Sequence, residues 1–181
     1  QLDPVGDFSF KVNYHYSPVT DEAGWIFFGI VPDANDPDGR YVKVGVGCDA
    51  QSAYTWYEVS AAEQSQLRSS ARRQDNGVLY VSYDAVLDKL YLSESGYGSA
   101  NAAMTVTGVL GASWGGVPLS VFFGGGANTL ELGSGEAWFD NFVVDTGTLY
   151  AEPVVETFSD VYRFWSPSLA LHFYTIDPAE R

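Results

Sequence analysis

Phe8-Ser9-Phe10-Lys11-Val12-Asn13-Tyr14-His15-Tyr16 alternates without a break: every even position is apolar or aromatic and every odd one is polar. Successive side chains of a β-strand point to opposite faces. The run therefore reads as a strand with one face in a core and the other in water. Strands of that kind belong to antiparallel sheets.

The reading extends outward from there. Gly24 to Val31 is a more continuous apolar run, as expected of a central strand buried on both faces, and Arg40 to Cys48 alternates again. Further strands are expected at Ala53–Val59, Gly77–Tyr83, Lys89–Ser93, Ala103–Leu110, Val117–Phe123 and Glu136–Asp145. Asp38-Gly39, Asn76-Gly77, Gly115-Gly116 and Gly124-Gly125-Gly126 punctuate them as turn signals. Ser60–Asp75 is polar, carries Arg68, Arg72 and Arg73, and reads as a short helix or a long loop. Short strands at this spacing make an all-β antiparallel sandwich, of the jelly-roll kind.

Composition agrees with a packed domain. The 181 residues are 46% hydrophobic and 15% aromatic, which excludes an intrinsically disordered chain. The formal net charge is −14, which argues against nucleic acid as a partner. No run of about 20 apolar residues is present, so membrane insertion by a helix is not expected. Cys48 is the only cysteine, and it continues the alternation of Val42, Val44 and Val46 as a small core residue. The chain starts at Gln1 without an initiator Met, as a processed secreted protein or a cut fragment would.

Three divisions are expected: a sandwich over 1–148, a linker over 149–160 that is acidic and contains Pro153, and a tail over 161–181. In the tail, Val161–Pro167 and Leu171–Thr175 read as two short aromatic strands.

Gly135-Glu136-Ala137-Trp138-Phe139-Asp140-Asn141-Phe142-Val143-Val144 resembles the closing strand of concanavalin A-like lectin/glucanase (LamG-like) jelly-roll domains of large bacterial surface proteins. Trp114-Gly115-Gly116-Val117-Pro118-Leu119 and Asn76–Asp84 resemble segments that precede it in those domains. The likeness covers residues 7–147. The tail resembles the opening of a different unit, a repeat of secreted bacterial proteins typified by a Tyr-Arg-Phe…Pro…His-Phe-Tyr-Thr pattern. It is carried by Tyr162-Arg163-Phe164-Trp165-Ser166-Pro167, His172-Phe173-Tyr174-Thr175 and Ala179-Glu180-Arg181. The resemblances imply a secreted or cell-surface location and a piece of a longer protein. The tail is then either the start of a second module or an arm packed on the sandwich.

The glucanases of this family work with paired carboxylates on one strand, about 5–5.5 Å apart for retaining chemistry. Glu131 and Glu136 flank a turn and Asp84 and Asp88 flank a hairpin tip, so no such pair is evident. Jelly-roll lyases need a Tyr/His pair with Arg and Gln. Tyr41–Gly45 resembles one of their strands, but the companion motifs are missing and only His15 and His172 are available. No nucleophile elbow or phosphate-binding loop occurs. A binding or adhesion module is thus favoured over a hydrolase, a lyase or a non-binding spacer.

Calcium has two candidate places. Asp33, Asn35, Asp36 and Asp38 crowd one loop that ends at Gly39, and calcium takes six to eight oxygens from such loops. By the family resemblance, Asp140 sits where glucanases hold a structural calcium, with Asp7 as a contributor. A glycan partner would use exposed aromatic platforms beside polar side chains. Tyr54 and Trp56 share one side of a strand with Glu58, while Thr55 and Tyr57 take the other. Tyr54, Trp56, Tyr57 and Trp114 are the candidate saccharide-contacting group.

Overall fold

The computed structural model describes residues 1–17, 24–33, 39–48, 53–61, 64–71, 74–127, 135–148, 162–166 and 171–175. Its strands are β1 (Phe8–Tyr16), β2 (Gly24–Val31), β3 (Tyr41–Cys48), β4 (Ala53–Ala61), β5 (Gln64–Ala71), β6 (Asn76–Asp84), β7 (Lys89–Ser93), β8 (Met104–Thr107), β9 (Ser120–Ala127), β10 (Ala137–Thr146), β11 (Tyr162–Ser166) and β12 (Leu171–Thr175). The chain divides into two compact units, Gln1–Tyr150 and Ala151–Arg181.

The first unit is a β-sandwich. One five-stranded sheet runs β10-β1-β6-β7-β8 and the other runs β5-β4-β3-β2-β9, with antiparallel pairing throughout. The alternation in β1 sends Phe8, Phe10, Val12, Tyr14 and Tyr16 inward, all at most 5% exposed. From the other sheet Phe28, Ile30, Val42, Val44, Val46, Tyr57 and Val59 meet them in the same buried cluster, and Cys48 joins it as expected. Inner faces that interdigitate in this way form a core about 10 Å thick. The second unit contains β11 and β12, which pair as an antiparallel hairpin with Tyr162 opposite Thr175. The expected linker, 149–160, lies outside the described residues.

Three sequence expectations are corrected. Ser60–Asp75 is neither a helix nor a plain loop: its middle is β5, hairpinned onto β4 and pairing Tyr54 with Ala71. β5 is an edge strand, where a polar composition guards an open row of backbone groups. Gly124-Gly125-Gly126 is not a turn but the body of β9, paired to Trp25, Ile26 and Phe27. The strand expected at Ala103–Leu110 stops at Thr107, and Val109–Ser113 forms one wide helical turn of π type.

Asp88 fastens that turn to the β6–β7 hairpin. Its carboxylate accepts the N–H groups of Gly111 (3.0 Å) and Ala112 (2.8 Å) and the hydroxyl of Tyr83 (2.9 Å). Burial works against the charged form, but these donors outweigh it and hold the carboxyl below its ordinary range. A lowered folded-state value means stability that is present above the unfolded pKa, about 3.9, and lost as pH falls through the lowered value. The stability gap between wild type and Asp88→Asn is therefore expected to be largest at neutral pH and to close in acid. Urea unfolding at a series of pH values measures it, and a gap that stays constant down to acid pH removes this role for Asp88.

Candidate functional site

The outward face of the β5-β4-β3-β2-β9 sheet is built from rings and glycines in alternation. Register fixes the pattern. One row across β4, β3, β2 and β9 reads Trp56, Gly45, Phe27, Gly124. The row on one side reads Tyr54, Gly47, Trp25, Gly126, and the row on the other reads Glu58, Lys43, Gly29, Phe122. Rows lie about 6.6 Å apart along the strands, and neighbouring strands are about 4.8 Å apart.

Each ring lies across the glycine of the adjacent strand. A Cβ placed on Gly45 would stand 2.6 Å from the Trp56 ring, on Gly124 2.6 Å from Phe27, on Gly29 2.6 Å from Phe122, on Gly126 2.8 Å from Trp25, and on Gly47 3.1 Å from Tyr54. The absent side chains let the rings cover the backbone and shield its hydrogen bonds. This offsets the poor strand propensity of glycine. The rings remain only half-buried. Phe27 is the hub, 5.8 Å from Trp56 and 5.7 Å from Phe122 between ring centroids, with planes inclined by 56° and 75°.

Polar handles sit among the rings. The Lys43 ammonium lies 3.8 Å from the Tyr41 ring centroid, 5.1 Å from Phe27 and 5.8 Å from Phe122, within cation–π range. The Tyr41 hydroxyl donates to Glu58 at 2.7 Å, which fixes that carboxylate at the rim. An apolar, ring-built surface with one cation and one carboxylate at its edge can stack on the C–H face of a sugar and orient its hydroxyls.

Of the residues expected to contact saccharide, Tyr54 and Trp56 stand on this face. Tyr57 and Trp114 do not. Tyr57 belongs to the inner side of β4 and is 0% exposed, with its hydroxyl donating to Glu94 at 3.2 Å. Trp114 follows the π turn and is 3% exposed. Both rings fill the core because the sandwich needs volume there, and neither offers a face to a ligand. Trp25, Phe27, Tyr41, Lys43 and Phe122 were not expected at the site. The signal for them was the period-two spacing of Gly45 with Gly47 and of Gly124 with Gly126, each opposite an aromatic-rich run.

The metal candidates separate. Asp140 is exposed and pairs with Asn13 across β10 and β1, with its Oδ1 accepting the Asn141 N–H. Asp7 precedes β1, near the Gly147 end of β10, and accepts the Ala85 N–H at 2.8 Å. Asp7 and Asn13 are six residue steps apart along the strand, about 20 Å. Asp7 and Asp140 therefore cannot share an ion, and the pair expected from the family resemblance does not fit calcium. Among the described residues no group of three or more His, Cys, Asp and Glu converges on one point. Asp33 is exposed, while Asn35, Asp36 and Asp38 lie outside the described residues.

No protein-family model matches the chain. No curated protein matches it. Among solved structures it is similar to the CBM2 module of the evolved Dit of Lactobacillus casei BL23 phage J-1, with 14% identity and a TM-score of 0.47. The likeness covers 75% of this chain and 54% of that one, so the chain spans about half of that structure's length. No helix among the described residues is long and apolar enough to cross a membrane. The functional reading rests on the chemistry of the ring-bearing face.

Proposed function

We propose that the sandwich is a glycan-binding module of a larger secreted or cell-surface bacterial protein, and that it binds through the outward face of Trp25, Phe27, Tyr54, Trp56 and Phe122. One observation carries the reading: five half-buried rings, each laid across a glycine of the neighbouring strand, with Lys43 and Glu58 among them. Packing on the glycines accounts for the inner side of each ring, and the apolar side left toward solvent is what a sugar ring can cover. The inclination of Phe27 to its neighbours favours a soluble or single chain over a flat crystalline surface, because a plane can touch only coplanar rings together. The concanavalin A-like variety of jelly roll is the finer fold reading that accompanies this proposal, supported by the first and last strands of the sandwich lying side by side.

Trp56→Ala is expected to weaken glycan binding about tenfold or more while leaving the fold intact, since the ring is half-buried and its loss opens no core cavity. A glycan array probed with wild type, Trp56→Ala and the control Phe123→Ala tests it. Phe123 is 49% exposed but is not one of the five rings. Equal binding by all three proteins would remove the face from consideration, and no binding by any would favour a spacer.

Calcium enters the proposal only as a stabiliser at the Asp33–Gly39 loop. Removing metal with a chelator is then expected to lower the melting temperature, and re-adding Ca²⁺ to restore it. A melting temperature indifferent to both treatments excludes that role.

A further inference from the structure

The outward face of the other sheet carries a smaller site of different chemistry. Trp138 is 45% exposed on β10, and its ring stacks on His15 of β1 with centroids 3.8 Å apart and planes 20° from parallel. The His15 Nδ1 lies 2.7 Å from Oδ1 of Asn76, the residue opposite it on β6. One row across three strands therefore reads Trp138, His15, Asn76. The next row begins Asp140, Asn13. The two rows line a groove of about 390 Å³.

The polar groups in this groove are under-used. The Asn13 amide has no side-chain hydrogen bond among the described residues, and the Asp140 carboxylate has one oxygen engaged, by the N–H of Asn141. Donation of the His15 Nδ1–H to Asn76 leaves Nε2 as an acceptor in the neutral ring. Asn141 adopts φ 52° where β10 gains one residue against β1 between Lys11 and Asn13. Bulges of this kind re-aim side chains. Here Trp138 and Asp140 face outward before the bulge, whereas Phe142 after it packs 5.5 Å from Phe10.

We infer that this groove is a second saccharide site, taking a neutral sugar ring with adjacent hydroxyls. The indole, braced from behind by His15, supplies a fixed apolar face for the C–H side of the ring. Asn13 both donates and accepts, Asp140 accepts, and a pair of neighbouring hydroxyls needs that combination. Asp140 is the only carboxylate lining the groove among the described residues, and no lysine or arginine lines it, so a phosphate or uronate is disfavoured. The two sites lie on opposite outer faces of one sandwich. A short oligosaccharide bound at one does not reach the other, so the module can hold two chains at once. The inference shares the glycan-binding reading but stands on a separate face.

The test follows the indole N–H signals of the full chain by NMR, assigned with Trp25→Phe, Trp56→Phe and Trp138→Phe. Cellohexaose, xylohexaose and mannohexaose are titrated one at a time, with an oligogalacturonate as the acidic probe. A saturable shift of the Trp138 signal with a neutral probe is expected, together with no response to the acidic one. The shift should survive Trp56→Ala and weaken at least about tenfold in Asn13→Ala and in Asp140→Asn. Shifts at Trp25 and Trp56 with Trp138 silent overturn this inference and leave the first face standing. A shift at Trp138 alone upholds the inference and removes the first face. Silence at all three removes both.

Discussion

Gly45→Val should cost the sandwich about 3 kcal/mol, a fall in melting temperature of roughly 6–12 °C for a domain of this size. Strand propensity alone points the other way, since valine is among the best strand formers and glycine among the poorest. Geometry decides. A Cβ on Gly45 would stand 2.6 Å from the Trp56 ring and 2.7 Å from the carbonyl oxygen of Ile26. The ring can swing away but the carbonyl belongs to the β2 ladder. Adding Trp56→Ala to Gly45→Val is therefore expected to recover part of the loss and not all of it. Gly6→Ala is the control, because nothing lies within 4 Å of a Cβ there, and it should leave the melting temperature within a degree or two. Thermal unfolding of the three variants measures the effect. A Gly45→Val protein as stable as wild type would mean that the rings do not lie across the glycines.

Tyr57→Ala should destabilise the protein by about 3–5 kcal/mol, the range for emptying a large aromatic site in a core. The side chain is 0% exposed and sits in the same buried cluster as Phe28, Val44 and Val59. Tyr57→Phe keeps the volume and loses the hydrogen bond to Glu94, so a loss of about 1 kcal/mol is expected. Urea unfolding of both variants checks the pair. If Tyr57→Ala instead folded with wild-type stability and lost glycan binding, Tyr57 would be a ligand residue and its inward placement wrong.

The contrast between Tyr57 and Trp56 shows where sequence reading stops. In β1 one parity is polar and the other apolar, so which side turns inward follows directly from the residues. In β4 both parities carry aromatics: Tyr54 and Trp56 on one, Tyr57 on the other. Thr55 even shares the inner side, with a buried hydroxyl that has no hydrogen-bond partner among the described residues, against the ordinary preference for threonine in water. Only the partner sheet, which supplies the volume to be filled, resolves the choice. Glycine misled for a related reason. Gly124 to Gly126 has the composition of a turn, and its place inside β9 depends on rings contributed by Trp25 and Phe27, about a hundred residues earlier. The polar run at β5 hid a strand because an edge needs no second apolar partner. Trp138 was not legible as a site residue: its spacing of two puts it on one face with Asp140, but only the structure, in which both are exposed, marks that face as the outer one.

The closing of the sandwich by its own first and last strands has a further consequence. β1 is clasped between β10 and β6, the Asp3 N–H donates to the Thr148 carbonyl at 3.2 Å, and Leu2 pairs with Leu119. Entry to and exit from the sandwich are thus a few ångströms apart, on one rim. Such a body can be spliced into a loop of a host, or strung on a thread, without the host stretching to span it. A linkage made through that one rim leaves the two broad faces of the sandwich out of the joint.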